Sequence, residues 1–288
     1  MPKAKVLAAA RSAEDLGFDG VFAFDHFFPP GAPPDRPALE AFTTLAAVAA
    51  ATSRVKLGTL VTRASLRPPG LLAKMAATID MISGGRMVLG IGTGDPIDEP
   101  EHHAFGFRNL SVTERRANLE ESVQAIQALF HGEAFPGGDW VPALTGPLAP
   151  PPVGPEGPPV WIGAQADEVV RMAGRIADGW NGWGMKPERF RTKASLLEEA
   201  ASRAGRTVEA TWAGIVLVGE DEAETERLHQ ARLAKNLDAL AWWGGADRFV
   251  ELASALADAG AHWLIVVLAG PADRRELLAD RVLPALRG

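Results

Sequence analysis

The chain alternates along its whole length between short apolar runs and longer segments of helical character. That alternation constrains the fold more than any single motif. A helix is predicted over Ala4–Leu16, stopped by Gly17, and the apolar run Gly20–Phe24 follows it. Further helices are predicted over 39–51, 70–82, 113–129, 167–175, 187–204, 222–233 and 246–259, with a closing helix after Leu268. Between them stand apolar runs at 55–61, 86–91, 160–163, 179–183, 210–218 and 263–268. Strands that alternate with helices pair in parallel and bury both faces, which is why these runs are apolar throughout rather than alternating. The expectation is an α/β protein, a (β/α)8 TIM barrel. Seven strands are read where a closed barrel has eight. The chain opens on a helix where the first strand would stand, so the first strand is expected to be missing from this chain. A gap left uncovered would leave two unpaired sheet edges.

Composition narrows the chemistry. There is no Cys and no Tyr, so disulfides, thiolate nucleophiles, thiolate metal sites and phenolic proton donors are excluded. The net charge of −7 argues against nucleic acid or an anionic membrane as partner. No apolar run reaches the length of a membrane span, and no signal-peptide pattern is read at the start. No metal-binding spacing is found, and neither a G-x-S-x-G elbow nor a Walker loop, so no metal is expected. One domain is expected over residues 1–288, carrying an insertion at about 134–159. Residues Pro136–Pro159 hold nine prolines, too many for a helix or a central strand. This excursion is read either as a lid or as an ordered insertion without catalytic part.

In a (β/α) barrel the active site lies on the loops that follow the strands. The strand-end residues are Asp25-His26, Thr59-Leu60-Val61-Thr62, Gly90 through Asp95, Gly163-Ala164-Gln165 and Trp180 through Trp183. His26 is the one histidine directly at a strand end. It suits proton transfer near neutral pH, and equally a satisfied structural histidine. Asp25 beside it orients a neighbour or caps the next segment. The Gly90-x-Gly92-x-Gly94 run is a poor dinucleotide fingerprint, because Pro96 stands where a helix should open. It is read as close backbone approach to a flat ligand, or as a tight turn. Gly163-Ala164-Gln165 precedes a helix whose free N–H groups suit a phosphate, although Asp167 is an unfavourable neighbour. Lys186 is read as a phosphate contact or a solvated lysine. Trp161, Trp180 and Trp183 are read as ring-stacking or core residues.

The stretches AEDLGFDGVFAFDHF, VKLGTLVTRASLRPP, GGRMVLGIGTGD, PPVWIGAQ, ADGWNGWG and GGADRFVELASALADAGAHWLIVVL resemble, in this order, the luciferase-like flavin and deazaflavin oxidoreductases. The resemblance runs over about residues 5–288. It implies a barrel that binds FMN or the deazaflavin coenzyme F420, and the Asp-His pair and the GTGD turn resemble the F420 branch. The implied activity is hydride transfer between F420 and a small organic substrate. An FMN-dependent monooxygenase and a non-catalytic flavin-binding protein are the alternatives. His26 and Asp95 are the implied catalytic residues. Asp95 stands where the sugar-phosphate dehydrogenases of this branch carry Glu, which puts that substrate in doubt. Asp25, Thr59, Leu60, Thr62, Gly92, Thr93, Gly94, Gly163, Ala164, Gln165 and Lys186 are the implied cofactor contacts. A non-proline cis peptide is implied at Thr59-Leu60. The resemblance also implies a cytoplasmic homodimer, with substrate choice set by variable loops, among them Pro29–Pro37 and the Pro-rich insertion.

Overall fold

The computed structural model describes residues 3–29, 37–95, 97, 99–237 and 239–287, with the side chains of Lys3 and Ala4 excluded. Most of the Pro29–Pro37 loop, and Pro96, lie outside the described residues. Two compact units are formed, one of residues 1–164 with 176–178 and one of residues 165–175 with 179–288.

The first unit runs α1 (Lys3–Asp15), β1 (Gly20–Ala23), α2 (Ala41–Ala51), β2 (Lys56–Thr59), β3 (Thr62–Arg63), α3 (Pro69–Ser83), β4 (Met87–Gly92), α4 (Glu99–Phe105), α5 (Val112–Phe130) and β5 (Val160–Gly163). Local signals account for the boundaries. Pro69 opens α3, where its missing N–H is no loss, and Gly84 ends it at φ 70°. Ser111 and Glu114 form a reciprocal capping box on α5. The strands of this unit pair in parallel, in the order β1-β2-β4-β5. β4 is buried at all six residues, as a central parallel strand should be. β3 continues the edge of β4 that β2 begins. Leu57 pairs with Met87, but Thr62 pairs with Ile91, so the β2–β3 line carries one extra residue. The non-proline cis peptide, Leu60–Val61, lies in this bulge, one residue beyond the expected Thr59-Leu60. The core between sheet and helices is built on Leu45, Leu57, Leu72, Met87, Leu89, Leu119, Ile126 and Ile162, all fully buried. Among the described residues no strand precedes α1.

The second unit holds most of α6 (Asp167–Ile176), then β6 (Gly179–Trp183), α7 (Pro187–Arg203), β7 (Glu209–Gly219), α8 (Glu222–Leu233), β8 (Trp242–Gly245), α9 (Ala246–Asp258), β9 (Trp263–Ala269), α10 (Arg274–Arg281) and α11 (Leu283–Arg287). β7 is its spine. β6 pairs with residues 209–213 and β8 with residues 216–219 along one edge, and β9 takes the other edge. Strand β8 is not among the strands read in the sequence. Gly182 and Gly214 follow Trp180 and Trp212 by two residues on the same strand face, and each gives its space to that indole. A Cβ at Gly182 would lie 2.9 Å from the Trp180 ring, and one at Gly214 would lie 2.6 Å from the Trp212 ring. Trp161 and Trp180 are 3% and 0% exposed, so their rings fill the core.

The Pro-rich excursion is not a lid over the strand ends. It joins the end of α5 to the start of β5, at the end of the sheet where (β/α) folds place stability rather than chemistry. Asp80 of α3 accepts from the Val153 amide at 2.9 Å, and Glu121 of α5 accepts from the amides of Asp139, Trp140 and Val141. Phe135, Val141 and Ala125 close a small apolar cluster beneath it. Substrate choice therefore does not fall to this segment.

Candidate active site

The site of the first unit grows from the C-terminal ends of β1, β2 and β4. β1 and β2 run level, with Ala23 beside Thr59, so Asp25-His26 and Val61-Thr62 leave the sheet side by side. Asp25 is 2% exposed. Its carboxylate accepts from Thr62 Oγ1 at 2.6 Å and takes both Arg67 guanidinium nitrogens, at 2.5 and 3.1 Å. Arg67 also donates to Glu40 at 2.8 Å and lies over the Phe42 ring. Burial pushes the Glu40 carboxyl up. The hydroxyl and amide of Thr43, the Phe42 amide and the Arg67 charge outweigh that and hold it below the usual carboxylate range.

His26 is one quarter exposed, and its Nδ1 lies 3.0 Å from Glu101 Oε1. Glu101 is 2% exposed, and its other oxygen is bound by the Arg63 guanidinium. Arg63 Nη2 also donates to the Asp25 carbonyl at 3.2 Å. Glu101 reaches His26 because α4 lays one face on the segment after β1. Residues i and i+4 share a helix face, so Glu101 meets His26 while Phe105 meets Phe27, with ring centroids 4.7 Å apart. Phe107 also stacks on Phe27, at 5.5 Å. Two guanidinium groups thus serve three carboxylates next to His26, and none of the five was singled out in sequence except Asp25. Arg63 and Arg67 stand out in retrospect as two cations inside the strand-end stretch VTRASLRPP. Glu101 carried no signal, since 93–111 read as a loop and α4 was missed.

The glycines leave space that other groups of this unit fill. A Cβ on Gly90 would lie 2.0 Å from the Thr59 carbonyl oxygen, and one on Gly92 would lie 2.9 Å from Val61 Cγ2. One on Gly163, which pairs with Gly92, would meet both Val61 methyls at 3.0 Å. The three glycines form a floor that seats the Val61 side chain and the Thr59 carbonyl. Val61 is half-buried, so its outer side covers that floor with an apolar surface. Thr59, Thr62 and Leu60, which flank Val61, are buried at 1%, 0% and 7% exposure. Thr59 donates to the Gly90 carbonyl at 2.6 Å. Thr93 and Gly94 are half-buried at its rim, and Gly94 turns at φ 74° with its carbonyl held by Arg115 at 2.7 Å. Asp95 follows, exposed. Gly163 and Ala164 are half-buried at the end of β5. An apolar platform beside a partly exposed imidazole fits a flat ring with a reacting edge.

In the second unit Gln165 accepts from Arg189 at 3.4 Å, Lys193 binds Asp167 at the start of α6, and Lys186 stands exposed at the N-terminus of α7. Lys193 offsets the acidic Asp167 that weighed against an anion at this helix start, holding its carboxyl below the usual range.

Residues 1–269 match the family of luciferase-like monooxygenases, and the chain belongs to that family. It stands in the F420-dependent branch. An F420-dependent glucose-6-phosphate dehydrogenase of Nakamurella multipartita is 31% identical over 319 aligned residues, covering 96% of this chain and 91% of that protein. An F420-dependent secondary alcohol dehydrogenase, solved in complex with an F420-acetone adduct, shares the fold at a TM-score of 0.85 and 20% identity, covering 100% of this chain and 96% of that one. The coenzyme F420-dependent tetrahydromethanopterin reductase of Methanopyrus kandleri does so at a TM-score of 0.81 and 22% identity, over 99% of this chain and 96% of that one. The architecture is therefore the (β/α) barrel of luciferase-like proteins.

Proposed function

We propose that this chain is an oxidoreductase that moves hydride between coenzyme F420 and a small organic substrate, with His26 transferring the accompanying proton. The observation that carries this reading is the pairing of a half-exposed Val61 platform, seated on three glycines, with a partly exposed His26 held by a buried carboxylate at the level of the same strand ends. When bound, F420 supplies the hydride acceptor or donor. Val61, with Thr93, Gly94, Gly163 and Ala164 around it, supports the ring. His26 takes or returns the substrate proton, a role worth about 10²–10⁴-fold in rate. Asp95 is assigned as the second titratable group of the site, on a turn that Arg115 holds.

The reading extends to a cytoplasmic homodimer. Among the described residues no helix is long and apolar enough to cross a membrane. Leu71, Met81 and Ile82 on α3 are each nearly half exposed, apolar surface that a second copy would cover. Light scattering at micromolar concentration tests this, and a monomer mass would refute it.

The function is tested by titrating the protein with F420 and, separately, with FMN, following cofactor fluorescence. Tight F420 binding with at least tenfold weaker FMN binding is expected. The reverse preference would turn the reading toward an FMN-dependent monooxygenase.

A further inference from the structure

We infer that Glu101 is a positioning residue that fixes the tautomer of His26, with Nδ1–H donating to Glu101, and so assigns proton exchange to Nε2. The inference rests on the proton-transfer reading of His26 given above. It starts from an economy of donors and acceptors. A carboxylate buried to 2% exposure is costly unless it is paired. Arg63, itself 3% exposed, occupies Oε2 and leaves Oε1 facing His26 Nδ1 at 3.0 Å. A carboxylate accepts only, so the hydrogen of that contact is carried by Nδ1, and a neutral imidazole then has its lone pair on Nε2. Among the described residues, Glu101 is in direct contact with His26, Arg63 stands behind Glu101, and the carboxylate of the neighbouring Asp25 is taken by Thr62 and Arg67. Glu101 thus holds the ring at Nδ1. It sits on α4 rather than on a strand, and the Phe27–Phe105 contact one turn further on anchors that helix.

The chemistry of one substitution tests this sharply. In Glu101→Gln the side chain keeps one acceptor and gains one donor. Arg63, a donor only, takes the amide oxygen. The amide nitrogen is then turned toward His26, and the ring must accept at Nδ1 and carry its proton on Nε2. Where a carboxylate orients a catalytic histidine, the wrong tautomer lowers kcat by up to about 10⁴-fold.

The experiment uses full-length protein loaded with F420 and labelled with ¹⁵N-histidine. His26 is assigned by loss of its signals in His26→Gln. Wild-type His26 is expected as the Nδ1–H tautomer, and Glu101→Gln as the Nε2–H tautomer. F420 reduction is followed with propan-2-ol or glucose 6-phosphate, whichever the wild type oxidises. Glu101→Gln is expected to lower kcat about 10²-fold or more, with KM and the F420 Kd within threefold and recovery of at least tenfold in Glu101→Asp. An Nε2–H tautomer in the wild type overturns the inference without reference to any variant. So does unchanged kcat in a folded Glu101→Gln protein when His26→Ala is inactive. If His26→Ala itself retains full turnover, the proton-transfer reading fails first.

Discussion

The glycine floor makes a quantitative prediction. Neither Gly92 nor Gly163 has a positive φ, so alanine suits the backbone at both, and the cost of substitution is steric. At Gly163 the new methyl would sit 3.0 Å from both Val61 methyls, a contact that overpacks the site by about 1–3 kcal/mol. Val61→Ala removes those methyls. Because Val61 is half-buried, its own loss costs about 1 kcal/mol at roughly 0.8 kcal/mol per fully buried CH₂. If the floor exists to seat Val61, the double variant recovers most of the overpacking cost, with a coupling of about 1–2 kcal/mol. Urea unfolding of wild type, both single variants and the double variant measures it, provided the m-value is unchanged. Gly90→Ala is the control. Its methyl would lie 2.0 Å from a backbone oxygen, which Val61→Ala does not move, so its loss of more than about 3 kcal/mol stays unrescued. Additive costs for Gly163→Ala and Val61→Ala, within about 0.5 kcal/mol, would refute the seating argument.

Three further outcomes follow from the same structure. Burial pushes the Glu14 carboxyl up, but the amides of Arg54, Val55 and Ser53 and the Ser53 hydroxyl bring it to about 2, against 4.5 for the free group. Its stabilisation is therefore complete above about pH 4.5 and lost as pH falls toward 2. After allowance for solvent screening it amounts to about 2 kcal/mol. The wild type should exceed Glu14→Gln in urea midpoint at pH 7 and lose most of that advantage by pH 3. Asp25→Ala takes from Thr62 and from the largely buried Arg67 the carboxylate they share, while Glu40 still holds Arg67, and should cost about 1–3 kcal/mol, read by thermal unfolding. Asp80→Ala removes the acceptor of the Val153 amide and should cost about 1–3 kcal/mol. It should leave the F420 Kd within twofold, because the excursion it clamps is remote from the strand ends.

Much of the architecture was legible because parallel strands buried on both faces are apolar runs, and helices between them carry their own stop signals. Gly84 and the Ser111–Glu114 box mark ends that sequence alone places within a residue or two. Short elements were missed for a physical reason. β8 is four residues ending in two glycines, and α4 is seven residues beginning Glu-Pro-Glu, so neither has a full period of hydrophobic pattern. At the site, Asp25, His26 and the Gly90–Gly94 turn were visible because strand ends are visible. Their partners were not. Glu101 lies 75 residues from His26, and Arg67 lies 42 from Asp25, and no local spacing encodes such pairs. The glycines were noticed for the right property, a missing Cβ, but the occupant of the space is Val61. The Pro-rich segment was recognised as irregular, yet its end of the sheet follows from counting whether it precedes or follows its strand, a step the composition obscured.

The central claim is hydride transfer to or from F420 with His26 moving the proton. It is tested most directly by screening small alcohols and sugar phosphates for F420 reduction, then comparing wild type with His26→Ala on the substrate found, at equal cofactor occupancy. The account predicts reduction by the wild type and a loss of about 10²-fold or more in the variant, with F420 still bound. Undiminished turnover in His26→Ala, or tight binding of FMN and not of F420, would contradict it.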